Sequence, residues 1–177
     1  MPKSSSEQIE QDEQKILKEL SKNANKSINE IAQSLGFSRQ KVWRVINNLE
    51  KNNTIWGYAA VVDQEKINKK RYIMLMKRSN KPIAKEALNL IVSRDLASQV
   101  GKTGVEITSS SYTNGLYDWV VCFNTVDIRA AKNLVETFNK LFAGYIIETH
   151  LLEEMFSTVS FGIENPEIEK FKDFFKV

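Results

Sequence analysis

The chain has 177 residues, of which 42% are hydrophobic and 27% charged, and its formal net charge is +3. This length suits one average domain or two small ones, and no apolar run approaches the roughly 20 residues that a membrane-spanning helix needs. The single cysteine cannot form an internal disulfide, and residues 1–7 contain no apolar leader, so we expect a protein of the reducing cytoplasm.

Positive charge is concentrated in the first part of the chain. Residues 1–71 contain 13 Lys and Arg against 9 Asp and Glu, whereas residues 72–177 contain 12 against 13. A local basic excess is typical of nucleic-acid-binding domains, but a basic surface that serves only solubility has the same composition. Charge therefore supports a nucleic-acid partner only if a binding motif lies in the same segment.

Three helices are predicted before residue 53, the first over about residues 7–22. Ser27 and Glu30 have the spacing of a capping box at the start of the second helix, and Gly36 suits the left-handed exit that ends it. Ser38 caps the third helix. Apolar residues at helical spacing mark the buried side of each helix: Ile9, Ile16, Leu17 and Leu20; Ile28, Ile31, Ala32 and Leu35; and Val42, Val45, Ile46 and Leu49.

The third helix has a polar side opposite its buried stripe. Arg39 and Gln40 lie at its N-terminal end, where Arg can donate two hydrogen bonds to guanine and Gln can pair with adenine in the major groove. Lys41 and Lys51 would add contacts to phosphates. For Trp43, packing against the next strands or the first helix is favoured over a DNA contact, and for the others a solvated surface is the alternative. The residues predicted to bind DNA are Ser38, Arg39, Gln40, Lys41, Trp43, Arg44, Asn47 and Lys51.

The hydrophobic period changes after the third helix. Residues 54–56 and 58–62 predict two short strands around Gly57, which would form the wing of a winged helix-turn-helix. The polar residues 64–70 predict a linker. We therefore assign residues 1–63 to a winged helix-turn-helix DNA-binding domain.

Residues 71–162 predict a second domain with the element order β-α-β-β-α-β. A strand at residues 72–76 is followed by a helix that Pro82 opens and that continues through Leu96. Strands at 105–112 and 116–123 flank the turn dipeptide Asn114-Gly115, and a helix from Asp127 to Gly144 precedes a strand at 145–152 and a possible fifth at 155–161. This order is typical of a ferredoxin-like sandwich. The fold class is thus α+β, with an extra C-terminal helix in residues 163–177 that carries Ile168, Phe171, Phe174 and Phe175.

Two sets of residues match a family pattern. The first set is Asp12, Ile16-Leu17, Ile31-Ala32, Leu35-Gly36, Ser38, Val42, Arg44, Ile46, Leu49-Glu50, Ile55, Gly57-Tyr58, Ala60 and Val62-Asp63, and the second is Gly115-Leu116-Tyr117-Asp118 with Gly144. With these residues the chain resembles the Lrp/AsnC family of leucine-responsive, or feast/famine, transcription regulators. It departs from the family at Asn53, where Gly is usual, at Asn48, where a basic residue is common, and in a longer stretch at residues 94–103. Since Asn also adopts left-handed geometry, Asn53 does not threaten the fold.

The resemblance implies a homodimer that forms through the sheet domain and often assembles into tetramers or octamers. An open sheet with helices on one side also leaves a face that a second copy can cover. The aromatic C-terminal helix either straps a partner subunit or packs on its own domain. The resemblance further implies an amino acid or related effector, for which the candidate residues are Thr113, Asn114, Gly115, Tyr117 and Asp118. Asp118 would accept the ammonium group of the effector, although these residues also suit a turn with no ligand.

The sequence gives little support for an enzyme. One histidine, His150, and one cysteine, Cys122, do not make a zinc site, and the chain has no phosphate-binding loop or catalytic triad. We expect no catalytic residues, no metal and no cofactor, with His150 and Cys122 as structural side chains and Cys122 buried. Two alternatives remain: an architectural DNA-binding protein without an effector, and an enzyme similar to siroheme decarboxylases, whose family uses several histidines where this chain has one.

Overall fold

The computed structural model describes residues 6–93, 95–101 and 104–175. The described residues divide into two compact units, one formed by residues 6–61 with 158–175 and the other by those between 62 and 157. The sequence-based expectations for residues 1–5, Arg94, 102–103 and 176–177 lie outside the described residues. None of the described helices is long and apolar enough to cross a membrane.

The first unit contains the three predicted helices, α1 (Ser6–Lys22), α2 (Ile28–Leu35) and α3 (Arg39–Lys51). The capping box is confirmed, because the Glu30 N–H donates to Ser27 Oγ at 3.3 Å and the Ser27 N–H donates to Glu30 Oε2 at 2.7 Å. Gly36 ends α2 with φ +66°, in the left-handed region that favours glycine. Local chemistry thus sets both ends of α2.

The apolar stripes of the three helices meet in one small core. The fully or nearly buried residues are Ile16, Ile31, Ala32, Val42, Val45 and Leu49, with Leu17, Leu20, Ile28, Leu35 and Ile46 packed at its edge. Ile9 is the exception: it is 48% exposed, one turn before the region that α2 and α3 cover. Each fully buried aliphatic side chain contributes about 1.5–3 kcal/mol, so this core holds α3 with its polar side outward.

The predicted wing strands are wrong. The described backbone between Thr54 and Val62 contains no strand, and its hydrogen bonds to α3 include the Ile55 N–H donating to Leu49 O at 3.0 Å and the Tyr58 hydroxyl donating to Glu50 Oε1 at 3.0 Å. One residue, Gly57, is too short a connection for a hairpin, and two short strands with no third neighbour are marginal in water. The segment is therefore irregular and largely exposed, with Trp56 95% exposed.

Asn53 has φ +60°, which confirms the left-handed geometry expected where the family has Gly. We predict that Asn53→Gly keeps or slightly raises the free energy of unfolding, whereas Asn53→Val lowers it by about 1–2 kcal/mol, because a β-branched side chain clashes with its own backbone at positive φ. Urea unfolding of both variants measures the difference. Equal stability of the glycine and valine variants would contradict it.

The second unit contains a four-stranded antiparallel sheet with the order β2-β3-β1-β4. Its strands are β1 (Lys70–Arg78), β2 (Glu106–Tyr112), β3 (Trp119–Thr125) and β4 (Ile146–Glu153), and its helices are α4 (Lys85–Val92), α5 (Asp95–Gly101) and α6 (Ile128–Leu141). A 3₁₀ turn at Glu65–Ile67 precedes β1. The predicted ferredoxin-like βαββαβ arrangement and the α+β fold class are confirmed.

The helix predicted from Pro82 through Leu96 is wrong in its extent, because two helices replace it. Ser93 separates them: its Oγ donates to Asp95 Oδ2 at 2.7 Å and lies 3.4 Å from the Asp95 N–H. Serine and aspartate side chains that bond locally in this way compete with helical hydrogen bonds and favour helix ends.

Side chains alternate between the two faces of the sheet. Tyr72, Met74, Met76, Val121 and Phe123 are buried against the helices. The opposite face carries Ile73, Leu75, Val120 and Cys122, which are half-buried, and Leu152, which is 47% exposed. Cys122 is therefore not the buried residue we expected. It pairs with Ile73 on the face opposite the one against which the described helices pack.

The end of the chain differs in detail from the predicted fifth strand and helix. The strand shrinks to β5 (Val159–Ser160), which pairs with β6 (Ile163–Glu164) in a separate two-stranded sheet. Phe161 and Gly162 both have positive φ, +50° and +78°, which is the geometry of a tight hairpin turn. A 3₁₀ helix, Ile168–Phe175, follows, in which the Phe171 ring packs on Phe174 and Phe175.

Candidate nucleic-acid interface

The turn between α2 and α3 determines how the N-terminal end of α3 is presented. The Phe37 N–H donates to Ala32 O at 2.9 Å, and Ser38 Oγ accepts the Lys41 N–H at 3.2 Å. The Ser38 hydroxyl therefore caps α3 as an acceptor and keeps its O–H for a phosphate oxygen. The N-terminal end of the α3 dipole favours the same anion.

The structure brings most of the predicted DNA-contacting side chains onto one side of α3. Arg39, Gln40 and Arg44 are exposed, Trp43 is 56% exposed, and Asn47 is half-buried. Residues four apart lie in one row along a helix, so Arg39, Trp43 and Asn47 form one row and Gln40 and Arg44 the next. We call these five residues the α3 polar face. Lys51 is exposed in the last turn, about 18 Å from Arg39 along the helix.

Trp43 is 56% exposed, more than the packing role that the sequence analysis favoured would require. Together with Ile28, Arg39 and Gln40 it lines an open groove of about 370 Å³ at the start of α3. Ile28 was assigned only to the buried stripe of α2. Ile28 is the first residue of α2, and this terminal position was the only feature of the sequence that indicated a side chain at the edge of the core.

Lys41 is held by α1 and is not a free cation on the α3 polar face. Its Nζ lies 2.5 Å from Asp12 Oδ2 and 3.9 Å from the centre of the Phe37 ring. Asp12 is only 4% exposed, and Gln8 Nε2 donates to its other oxygen at 3.2 Å. Helical spacing could not reveal this pair, because the two residues lie 29 positions apart on different helices.

The Asp12–Lys41 pair predicts an acid-sensitive contribution to stability. The hydrogen bond from Lys41 holds the pKa of the Asp12 carboxyl below its ordinary value, although burial acts in the opposite direction. A lowered folded-state pKa means that the contribution is complete above the unfolded-state pKa of about 3.9 and is lost as the pH falls below it. We predict that Asp12→Asn lowers the free energy of unfolding by about 1 kcal/mol at neutral pH, and that this difference narrows below a pH of about 4.

Urea unfolding of both proteins as a function of pH measures this difference. Glu10→Gln, an exposed residue of the same helix, is the control and leaves stability nearly unchanged. A difference between wild type and Asp12→Asn that stays constant through the acid range would contradict the prediction.

The candidate effector residues form the loop between β2 and β3. The Thr113 N–H donates to Asp118 O at 2.8 Å, and Thr113 Oγ1 donates to Tyr117 O at 2.6 Å. The tight two-residue turn expected at Asn114-Gly115 is wrong, since neither residue has a positive φ and the loop spans residues 113–118. Hydrogen bonds from Thr113 close the longer loop, so the glycine is not needed for a sharp turn.

Asp118 already has a cationic partner. Its Oδ2 accepts the Arg78 N–H at 2.9 Å, and its Oδ1 lies 3.3 Å from Arg78 Nε. The Arg78 guanidinium also lies near the Tyr112 ring, and the Tyr112 hydroxyl is 3.2 Å from the Tyr145 hydroxyl. Burial and the bond to Tyr112 raise the pKa of Tyr145. The sequence analysis missed Arg78, Tyr112 and Tyr145, because they come from three strand ends that only the sheet brings together.

His150 lies on β4, with its Nε2 2.7 Å from Glu148 Oε1 and its ring edge-on to Tyr117 at 5.5 Å between centroids. The hydrogen bond from His150 lowers the pKa of Glu148. Within the described residues, no group of three His, Cys, Asp or Glu side chains has the geometry to hold a metal ion.

Comparison with known proteins supports this description. Residues 13–55 match the family of winged helix-turn-helix DNA-binding domains, whereas no curated protein matches the chain significantly. The leucine response regulatory protein LrpA of Mycobacterium tuberculosis has a similar structure, with a TM-score of 0.63 and 15% identity over 84% of this chain and 94% of that chain. An AsnC family transcriptional regulator from Agrobacterium tumefaciens gives 0.59 and 20% over 84% and 91%.

A transcriptional regulator from Neisseria meningitidis, solved in complex with L-Met, gives a TM-score of 0.59 and 20% identity over 84% of this chain and 90% of that chain. The first domain is thus a winged helix-turn-helix DNA-binding domain, and the chain as a whole has the fold of the Lrp/AsnC regulators. The resemblance to the Lrp/AsnC family that was stated from the sequence is confirmed for the DNA-binding domain and for the fold of the chain.

Proposed function

We propose that this chain is a sequence-specific DNA-binding transcription regulator that acts as a homodimer in the cytoplasm and responds to an amino-acid effector. The α3 polar face carries the proposal, because it presents two arginines and a glutamine on a helix whose other side is buried. The match of residues 13–55 to DNA-binding domains supports the same role. The fold shared with Lrp/AsnC regulators supports regulation rather than packaging of DNA.

Each side chain of the interface has a separate task. Arg39 and Gln40 read base edges from the first turn of α3, while the Ser38 hydroxyl and the adjacent N–H groups bind a phosphate. Arg44 and Lys51 neutralise further phosphates. Asn47 is half-buried at the border of the face and contacts the backbone of the DNA. Lys41 serves the interface indirectly, by holding α3 to α1 through Asp12.

The dimer interface lies on the four-stranded sheet. Ile73, Leu75, Val120 and Leu152 form an apolar area on the sheet face opposite the helices, which we call the open sheet face. Two copies that place these faces together remove the apolar area from water and generate a two-fold axis. The two α3 helices then meet half-sites about one helical turn, ~34 Å, apart, so the operator is palindromic.

The effector site is the Arg78–Asp118 pair with the loop at residues 113–118. A free amino acid carries an ammonium and a carboxylate, which complement Asp118 and Arg78 respectively, so its zwitterion can replace their mutual ion pair. The L-Met bound to the similar regulator from Neisseria meningitidis supports a ligand of this class. A thermal-shift screen against the twenty amino acids tests the site. An amino acid that raises the melting temperature of the wild type but not of Asp118→Asn supports the site. If no amino acid changes the melting temperature of the wild type, the site is rejected.

The decisive test of the regulator function is selection of binding sites from random duplex DNA, followed by mapping of bound genomic sites. We expect a palindromic consensus and a steep loss of affinity with salt, because phosphate contacts release counterions. Equal affinity for all sequences at fixed salt would instead identify an architectural DNA-binding protein. A change in siroheme absorbance on addition of the protein, without DNA selectivity, would identify the enzyme alternative.

A further inference from the structure

One feature of the α3 polar face is not explained by hydrogen bonding to DNA. Trp43 lies among arginines and a glutamine with 56% of its surface exposed, although a tryptophan packed into the core would stabilise the fold more. Ile28 lines the same groove from the first residue of α2. The groove thus combines two apolar side chains with two hydrogen-bond donors, Arg39 and Gln40.

The spacing along α3 places Trp43 close to Arg39 and Gln40, the residues proposed to contact base edges. It follows Arg39 by four residues and Gln40 by three, so the three side chains share one side of α3. The rise of about 6 Å between residues 39 and 43 corresponds to about two base-pair steps of 3.4 Å along the groove. Trp43 therefore faces a base pair close to the one that Arg39 contacts.

We propose that Trp43, with Ile28, reads the 5-methyl group of thymine in the operator. This inference rests on the proposed function, since it names what the α3 polar face recognises. The thymine methyl is the apolar group that base edges present in the major groove, and apolar side chains that contact it discriminate A·T from the other pairs. The donors beside Trp43 can pair with the O4 acceptor of thymine. Cytosine presents an N4 amino donor instead of that acceptor and lacks the methyl group, so the groove distinguishes thymine from cytosine.

Deoxyuridine provides the test, because it differs from thymidine only by the absent methyl group. Duplexes that carry the consensus selected by the wild-type protein are made with each thymine of one half-site replaced in turn by uracil, and Kd is measured at fixed salt. We expect the wild type to lose about threefold to tenfold affinity at one or two positions within about two base pairs of the base that Arg39 reads.

Variants assign that loss to the proposed side chains. Trp43→Ala is expected to bind the thymine operator less tightly and to show equal Kd for thymine and uracil at those positions, and Ile28→Val to show a reduced difference. Trp43→Gln is a second variant that keeps a long side chain without the indole ring. Trp56→Ala, which removes a tryptophan that is 95% exposed outside α3, is the control and keeps the full difference.

The outcomes separate this inference from the proposed function. A consensus with equal wild-type affinity for thymine and uracil at every position overturns the inference and leaves the regulator function standing. A thymine preference that Trp43→Ala and Trp43→Gln both retain also overturns it. Failure of the selection to enrich any sequence overturns the proposed function itself, and the inference with it.

Discussion

Replacement of both Arg39 and Arg44 with alanine is expected to weaken operator binding by at least about 100-fold at moderate salt, because each good arginine contact to a base or phosphate contributes about 1–3 kcal/mol. Both side chains are exposed on the α3 polar face, so their loss leaves the core of the first unit intact. Fluorescence anisotropy with the selected operator measures the change, and unfolding curves show that stability is retained.

A charge-matched control separates local contact from net charge. Arg129 and Lys132 are exposed on α6 in the second unit, and their double alanine variant loses the same two positive charges. We expect that variant to keep its affinity within a few-fold, since the loss of net charge alone acts weakly on binding at moderate salt. If the two double variants weaken binding equally, the α3 polar face is not the interface.

The second large effect is expected from Leu75→Glu, in the middle of β1 on the open sheet face. The substitution places a carboxylate where two apolar faces would meet, directly opposite His150 of β4, and desolvation of the carboxylate opposes association. We predict a monomer by sedimentation equilibrium and an operator affinity lower by about 100-fold or more, because linkage of two half-site contacts gives that order of gain.

Val126→Glu is the matched control, since Val126 is 62% exposed beyond the end of β3 and gains the same charge. It is expected to remain dimeric and to bind the operator normally. A dimeric Leu75→Glu protein with wild-type affinity would show that the open sheet face is not the dimer interface. A monomeric protein with wild-type affinity would show that operator binding does not need the dimer.

Local patterns predicted most of the elements. The capping box at Ser27 and the glycine at position 36 located the ends of α2, because those signals act within one turn of helix. The buried stripe of α3 also implied that the opposite side faces outward, and so identified Arg39, Gln40 and Arg44 as the candidate interface. Prediction failed at residues 54–62, where β-forming residues pair with no other strand of the described chain and stay irregular.

Several contacts that sequence patterns could not show join residues distant in the sequence. Lys41 has the spacing of a surface cation but pairs with Asp12, and Asp118 pairs with Arg78, 40 residues earlier. Cys122 was expected in the core, yet register with β1 places it on the face opposite the helices. Periodicity predicts on which side of its helix or strand a side chain lies, but not which group it contacts there.

The sequence by itself determined the three N-terminal helices, the βαββαβ order of the second unit, the caps of α2 and α3, the fold class and the side of α3 that stays free. These follow from backbone sterics, local hydrogen bonds and apolar periodicity, which operate over a few residues. Only the tertiary structure decided that Trp43 is exposed beside Ile28, that Lys41 is bound to Asp12, and that Arg78 pairs with Asp118 and lies near the Tyr112 ring. Those contacts depend on how separate elements pack and in what register, and the chemistry proposed for this protein depends on them.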